Sequence, residues 1–143
     1  MDLPPEERIG LDIKRTEQAL MGAKGRVLKE FDLTVAQYAA LLGLKLAPGV
    51  SGATLARQCL VTPQAMTSVL KGLTSRGLVR RERHPVHAHV IELTLTDDGA
   101  DLIATADVRV SAVERRIAEV LTDRERAVLR GSLEKVAAEL DRF

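Results

Sequence analysis

The stretch LARQCLVTPQAMTSVLKGLTSRGLVRRERHPVHAHVIELTL, residues 55–95, decides how this chain is read. Thr62 is a good N-cap and Pro63 suits the first helical position. The spacing of Met66, Val69, Leu70 and Leu73 then predicts a helix over 62–76 with one apolar face, and Gly77 fits its end. Leu78 to Arg83 and Val90 to Leu95 read as two strands joined across His84 to His89. In the second, Val90, Glu92 and Thr94 alternate with Ile91, Leu93 and Leu95, the pattern of a half-buried strand. Upstream, Ser51 caps a short helix that runs to Cys59. Two short helices, a tight connection and a hairpin therefore stand in sequence.

That order suggests a helix-turn-helix followed by a wing. The first helix needs an apolar residue and then a small one, so that the second can cross closely. Leu55-Ala56 supply them, and Cys59, Val61, Met66 and Val69 supply the apolar turn and inner face. Leu60 stands where such turns often have glycine, so the turn need not be tight in the usual way. The 62–76 helix is then the reading helix, with Gln64, Thr67, Ser68 and Lys71 off its apolar face. Gln pairs with adenine, Thr and Ser bond to bases or phosphates, and Lys meets a phosphate. The candidate DNA contacts are Ser51, Thr54, Thr62, Pro63, Gln64, Ala65, Thr67, Ser68, Lys71 and Arg76, with Arg81, Arg83, His87 and His89 from the wing. Strand alternation puts Arg81 and Arg83 on one face and Arg80 on the other.

Charge is distributed accordingly. The net charge of +1 is uninformative, but residues 51–89 hold six basic side chains against Glu82 alone. Residues 90–143 hold eight basic and twelve acidic ones, and residues 1–50 balance at seven each. A basic middle between neutral and acidic flanks fits a polyanion partner.

Outside this middle the chain reads as helix. After the acidic pair Glu6-Glu7, the residues Ile9, Ile13, Leu20, Val27 and Phe31 recur at helical spacing and predict one helix over 6–31. Thr34 caps a strongly apolar helix over 36–46, which Pro48-Gly49 ends. Thr96 caps a long helix striped by Leu102, Ala106, Val110, Val113, Ile117 and Val120. Thr122-Asp123-Arg124-Glu125 is a capping box opening a last helix with Leu129, Leu133, Val136, Leu140 and Phe143 on one face. The fold class is mainly α with a small β-wing: four helices, two strands, two helices. Aromatics make up only 2% of the chain, so its core is aliphatic. Long amphipathic helices at both ends, with no core large enough to cover them, call for a partner.

Two stretches make a resemblance specific. LARQCLVTPQAMTSVLKGLTSRGLVRRERHP resembles the helix-turn-helix of the MarR (multiple antibiotic resistance regulator) family, with its L-x-x-x-G-L-[IV]-x-R run into the wing. LTLTDDG resembles that family's L-T-x-x-G at the start of a long dimerisation helix. Element order and length match along nearly the whole chain. The resemblance implies a winged helix-turn-helix over 34–96 and a helical dimerisation region over 1–33 and 97–143. It implies a homodimer on a palindromic operator in double-stranded DNA, acting as a repressor that a small phenolic or anionic effector releases. Tyr38 and Arg15 are the candidate effector contacts. One departure stands out. The family commonly has D-x-R in the wing where this chain has His87 and His89, so a contact at His89 would be weaker and sensitive to pH.

Other readings can be set beside this one. His84, His87 and His89 have the residue type for zinc, but alternation puts His87 and His89 on one face and His84 across the turn, with Glu82 and Glu92 alone to complete a set. Cys59 is the only cysteine. The peroxide-sensing branch of the family has its reactive cysteine in the first helix, whereas Cys59 falls on an apolar face, as a structural residue would. A metal- or redox-responsive regulator and a winged-helix protein-interaction module without DNA are the alternatives. Neither Ser-His-Asp spacing, a phosphate loop, H-E-x-x-H nor paired carboxylates point to an enzyme, and no cofactor is implied. A single cysteine, no apolar run near 18 residues and an acidic N-terminus without a signal region fit a cytoplasmic chain away from membranes.

Overall fold

The computed structural model describes residues 2–143. Its elements follow the expected order: α1 Ile9–Leu28, α2 Val35–Leu46, α3 Gly52–Gln58, α4 Pro63–Ser75, β1 Val79–Arg83, β2 Ile91–Leu95, α5 Asp97–Glu119 and α6 Asp123–Leu140. Hydroxyl caps start most of them. Ser51 Oγ accepts from Thr54 N–H at 3.2 Å, and Thr62 Oγ1 accepts from Ala65 N–H at 3.1 Å. Thr34 and Gln37 form a reciprocal capping box on α2, as Thr122 and Glu125 do on α6. Each such cap satisfies N–H groups that the helix itself leaves orphaned.

Three helices end alike. At each end one residue turns left-handed, its N–H bonds back within the last turn, and the next N–H reaches five residues back. After α1 the left-handed residue is Asp32 (φ 52°), and Leu33 N–H reaches Leu28 O. After α3 it is Leu60 (φ 57°), with Val61 N–H on Ala56 O at 3.0 Å. After α4 it is Gly77 (φ 71°), with Leu78 N–H on Leu73 O at 3.0 Å.

These endings correct one expectation and complete another. The helix expected over 6–31 is shorter: 3-10 turns at Pro5–Glu7 and Lys29–Phe31 flank it, and Arg8 is non-helical between the first turn and α1. Phe31 keeps the apolar spacing, but its backbone already belongs to the closing turn. The connection between α3 and α4 is tight although Leu60 replaces the usual glycine. Leu60 takes the left-handed conformation usually left to glycine, while its side chain stands 92% exposed and clears the backbone.

The chain forms two compact units, one reaching Val110 and one spanning Ser111–Phe143. In the first, α2 packs on α3, α4 and β2. Leu28, Leu41, Leu44, Leu55, Met66, Leu73, Leu93, Ile103 and Val110 are fully buried there. Burying one such side chain contributes about 1.5–3 kcal/mol, so this cluster dominates what holds the unit together. The strands pair antiparallel, with Val79 opposite Leu95 and Arg81 opposite Leu93. Gly49 and Val50 add a short extension beyond β2, since Gly49 N–H donates to Leu93 O and Leu93 N–H donates to Val50 O.

The start of α5 is clamped to the turn between α4 and β1. Thr96 N–H donates to Leu78 O at 3.1 Å and its hydroxyl donates to Gly77 O at 2.6 Å. The same hydroxyl accepts from Gly99 N–H, which makes Thr96 the N-cap. The approach is so close that a Cβ on Gly99 would stand 2.0 Å from Leu78 O. This explains the glycine of LTLTDDG in steric terms.

The second unit is built differently. Arg126 donates to Leu121 O at 2.8 Å and meets Asp123, which fixes the turn before α6. No residue of α6 is buried, and Val128, Leu129, Leu133 and Leu140 are all 45% exposed or more. In the first unit α1 likewise leaves Ile9, Leu11 and Ile13 in the open. Among the described residues, no helix is long and apolar enough to cross a membrane.

Candidate nucleic-acid interface

α4 turns Met66, Leu70 and Leu73 into the core, which leaves the opposite side of the helix outward. Gln64, Ala65, Thr67, Ser68 and Lys71 are all exposed on that side. Thr62 caps the helix and Pro63 occupies its first position, so neither is free to change conformation cheaply. Thr67 Oγ1 donates to Pro63 O at 2.9 Å, and rotation of that hydroxyl would free it for another acceptor.

Arg81 joins this surface. It lines a notch of about 130 Å³ together with Gly52 and Ala53 of α3 and Pro63, Met66, Thr67 and Leu70 of α4. Alternation along β1 is the reason: Arg81 faces the same way as its buried partner Leu93 and reaches over the helices. Arg80 lies on the other face, where its Nε stands 3.7 Å from Glu82 Oε1. Arg83 Nη1 donates across the hairpin to Ala88 O at 3.4 Å. Arg80 and Arg81 thus lie on opposite faces of the hairpin.

At the start of α3 a small polar chain forms. Ser51 Oγ donates to Thr54 Oγ1 at 3.1 Å, and Arg57 Nη2 donates to the same oxygen at 3.1 Å. Arg57 is not among the contacts that the sequence suggests. Its i,i+3 spacing from Thr54 on one helix face is the signal that could have found it.

Arg76 is not brought to this surface. Its guanidinium donates to Asp32 O at 2.6 Å and to Phe31 O at 3.4 Å, bracing the end of α4 against the turn that closes α1. Those carbonyls are free to accept because a helix ending leaves them without partners.

The wing tip departs from strict alternation. Residues 84–90 are not strand, and the turn at Pro85-Val86 folds the chain back on His84. His84 and His87 rings stand 5.1 Å apart, and His87 and His89 rings 6.2 Å apart, so His84 is beside His87 and not across from it. His87 and His89 are exposed, whereas His84 Nε2 stands 3.6 Å from Glu92 Oε1. Among the described residues no group of three or more His, Cys, Asp or Glu side chains is disposed to hold a metal ion. Cys59 is half-buried behind α3, and desolvation pushes its thiol pKa up, away from the thiolate a redox sensor uses.

The two candidate effector residues differ. Tyr38 is buried, and its hydroxyl donates to Asp107 Oδ1 at 2.6 Å. Arg15 is exposed on α1 with Asp12 Oδ1 3.8 Å from its guanidinium.

A capped, outward-facing second helix beside an arginine-bearing hairpin is the framework of the winged helix-turn-helix transcription regulators. The MarR family model matches residues 31–88. The HTH-type transcriptional repressor Rv2887 of Mycobacterium tuberculosis is 31% identical over 139 residues, which is 97% of this chain and all of that one. The chain belongs to the MarR family. Among solved structures, the repressor CouR bound to a 23-mer DNA duplex superposes with a TM-score of 0.84 at 28% identity, covering 96% of this chain and 99% of that one. Rv2887 in complex with p-aminosalicylic acid gives 0.70 at 31% identity, covering 94% and 99%.

Proposed function

We propose that this chain is a homodimeric repressor that reads a palindromic operator and lets go when a small phenolic or anionic molecule binds. The carrying observation is the exposed polar face of α4, Gln64 to Lys71, with Arg81 set in the notch beside it. Gln64 reads an adenine edge in the major groove; Thr67, Ser68 and Lys71 anchor phosphates or bases. Ser51, Thr54 and Arg57 approach the backbone from α3, and the wing carries Arg83, His87 and His89 along the duplex. The similarity to a DNA-bound CouR supports the polynucleotide partner.

The reading domain spans 34–96 and the dimerisation region 1–33 with 97–143. Exposed apolar side chains on α1 and α6 support a second copy of the chain as the partner. The protein works in the cytoplasm, by binding and not by catalysis. An aromatic acid as effector is supported by the p-aminosalicylic acid complex of Rv2887. Tyr38, bonded to Asp107, and Arg15 on α1 are the residues proposed to respond to it.

The test is footprinting of the DNA upstream of the protein's own gene, with and without a panel of small aromatic acids. Half-sites should lie about one helical turn, roughly 10 base pairs, apart. Gln64→Ala should relax preference at one base position, while Lys71→Ala should weaken all sequences alike and lower the salt slope by about 1. Affinity that ignores salt would refute DNA binding through this face and favour a protein partner.

A further inference from the structure

His84 holds the wing tip from inside. Its Nδ1 accepts from two backbone donors, Val86 N–H at 3.1 Å and His87 N–H at 3.0 Å. Two N–H groups aimed at one ring nitrogen require that nitrogen to carry a lone pair and no proton. The ring proton then sits on Nε2, the nitrogen that faces Glu92 Oε1 at 3.6 Å. An Asn or Asp oxygen does the same work in an Asx turn, bonding to the N–H groups two and three residues on. Here a titratable ring does it.

The geometry points to His84 as the positioning residue of the wing tip, holding it in shape only while the ring is neutral. This rests on the wing being a DNA-contacting element. Charging the ring puts a proton on Nδ1, facing two donors, and both bonds are lost. The charge gained is taken up by Glu92 and adds little toward a phosphate.

Other charges bear on the ring. Glu82 lies opposite Glu92 in the strand register, and Arg80 Nε stands 3.7 Å from Glu82 Oε1. The His87 ring is 5.1 Å away, with His89 beyond it, and Arg83 precedes His84 in the chain. Glu92 is the partner of the charged ring, and the two N–H groups are the partners of the neutral one. Acid therefore exchanges one set of His84 partners for another, and the turn that presents His87 and His89 is released.

The experiment uses the whole chain and two substitutions. His84→Asn keeps an acceptor that does not titrate, and His84→Ala removes it. Nitrogen NMR of the free protein at pH 8 should show His84 protonated at Nε2 alone. Val86 and His87 amides should be protected from exchange at pH 8 and lose about fivefold of that protection at pH 5.5, the ratio expected for one lost capping interaction. His84→Asn should hold its protection at both pH values, and His84→Ala should lack it at both. Against operator DNA, wild type should match His84→Asn at pH 8 and bind several-fold more weakly at pH 5.5. His87 and His89 are present in both proteins, so the comparison isolates the change at His84. A His84 protonated at Nδ1 at pH 8, or equal protection in all three proteins, would overturn the proposal. Wild type binding as tightly as His84→Asn in acid would overturn it too. The NMR measurements need no DNA, so failure of the DNA-binding reading would show separately, as absence of operator binding in every form.

Discussion

Leu41, Leu55, Met66, Leu73 and Leu93 are almost wholly buried, while Val128, Leu129, Leu133 and Leu140 on α6 are about half exposed or more. Both sets are aliphatic and both sit on regular helical or strand spacing. The reading region closes over its own side chains through short, capped elements with tight endings. The last helix has good caps and a good stripe but nothing within its own unit to cover it. Local sequence signals can therefore be equally strong where the chain completes its own core and where it does not. What differs is how much of the apolar surface finds a partner in the same chain.

The largest expected effect attacks the uncovered side. Leu129→Glu with Leu133→Glu should turn a dimer into a monomer in analytical ultracentrifugation and cost roughly a hundredfold in operator affinity. The reading region should stay folded by circular dichroism. A dimer that survives both changes would mean that α6 is not the covered face.

Next comes the self-covered side. Gly99→Ala drives a Cβ into Leu78 O and should destabilise by about 3 kcal/mol or more, read by chemical denaturation. A cost under about 0.5 kcal/mol, the range of ordinary surface changes, would show that the α5 clamp yields easily.

Arg76 tests where reading ends and bracing begins. Arg76→Gln should lower stability by about 1 kcal/mol through its two lost carbonyl bonds, while the salt slope of operator binding stays as in wild type. A slope smaller by about 1 would return Arg76 to the phosphates.

The smallest change sharpens the fold. Leu60→Gly removes a side chain from a left-handed position and should stabilise by about 1 kcal/mol, raising the melting temperature a few degrees. Destabilisation would mean that exposed Leu60 meets a partner in the assembled protein.

Much of this was legible in the sequence because it is local. Ser51, Thr62 and Gly77 bound α3 and α4 to within a residue, and alternation sorted Arg80 from Arg81. What escaped reading depends on contacts between residues far apart or on backbone bonding. The bond from Arg76 to Asp32 spans 44 residues, and that from Tyr38 to Asp107 spans 69. Gly99 matches a motif, but its reason is the carbonyl of Leu78 on another element. The end of α1 was hidden because Phe31 keeps helical spacing after the hydrogen bonds have changed. His84 reads as a metal candidate in the connection between the strands until the turn brings two N–H groups onto its ring. Of the candidate contacts, the α4 face and Arg81 come together, whereas Arg76 turns away.

The bond from Tyr38 to Asp107 has one more consequence. The chain has one tyrosine and no tryptophan. Its tyrosine emission, unmasked by tryptophan, therefore comes from a single ring whose hydroxyl rests on a carboxylate, an arrangement that quenches phenol fluorescence. Any molecule that pulls Asp107 from Tyr38 should brighten the protein, so the chain carries its own unlabelled optical gauge at the place where α2 meets α5.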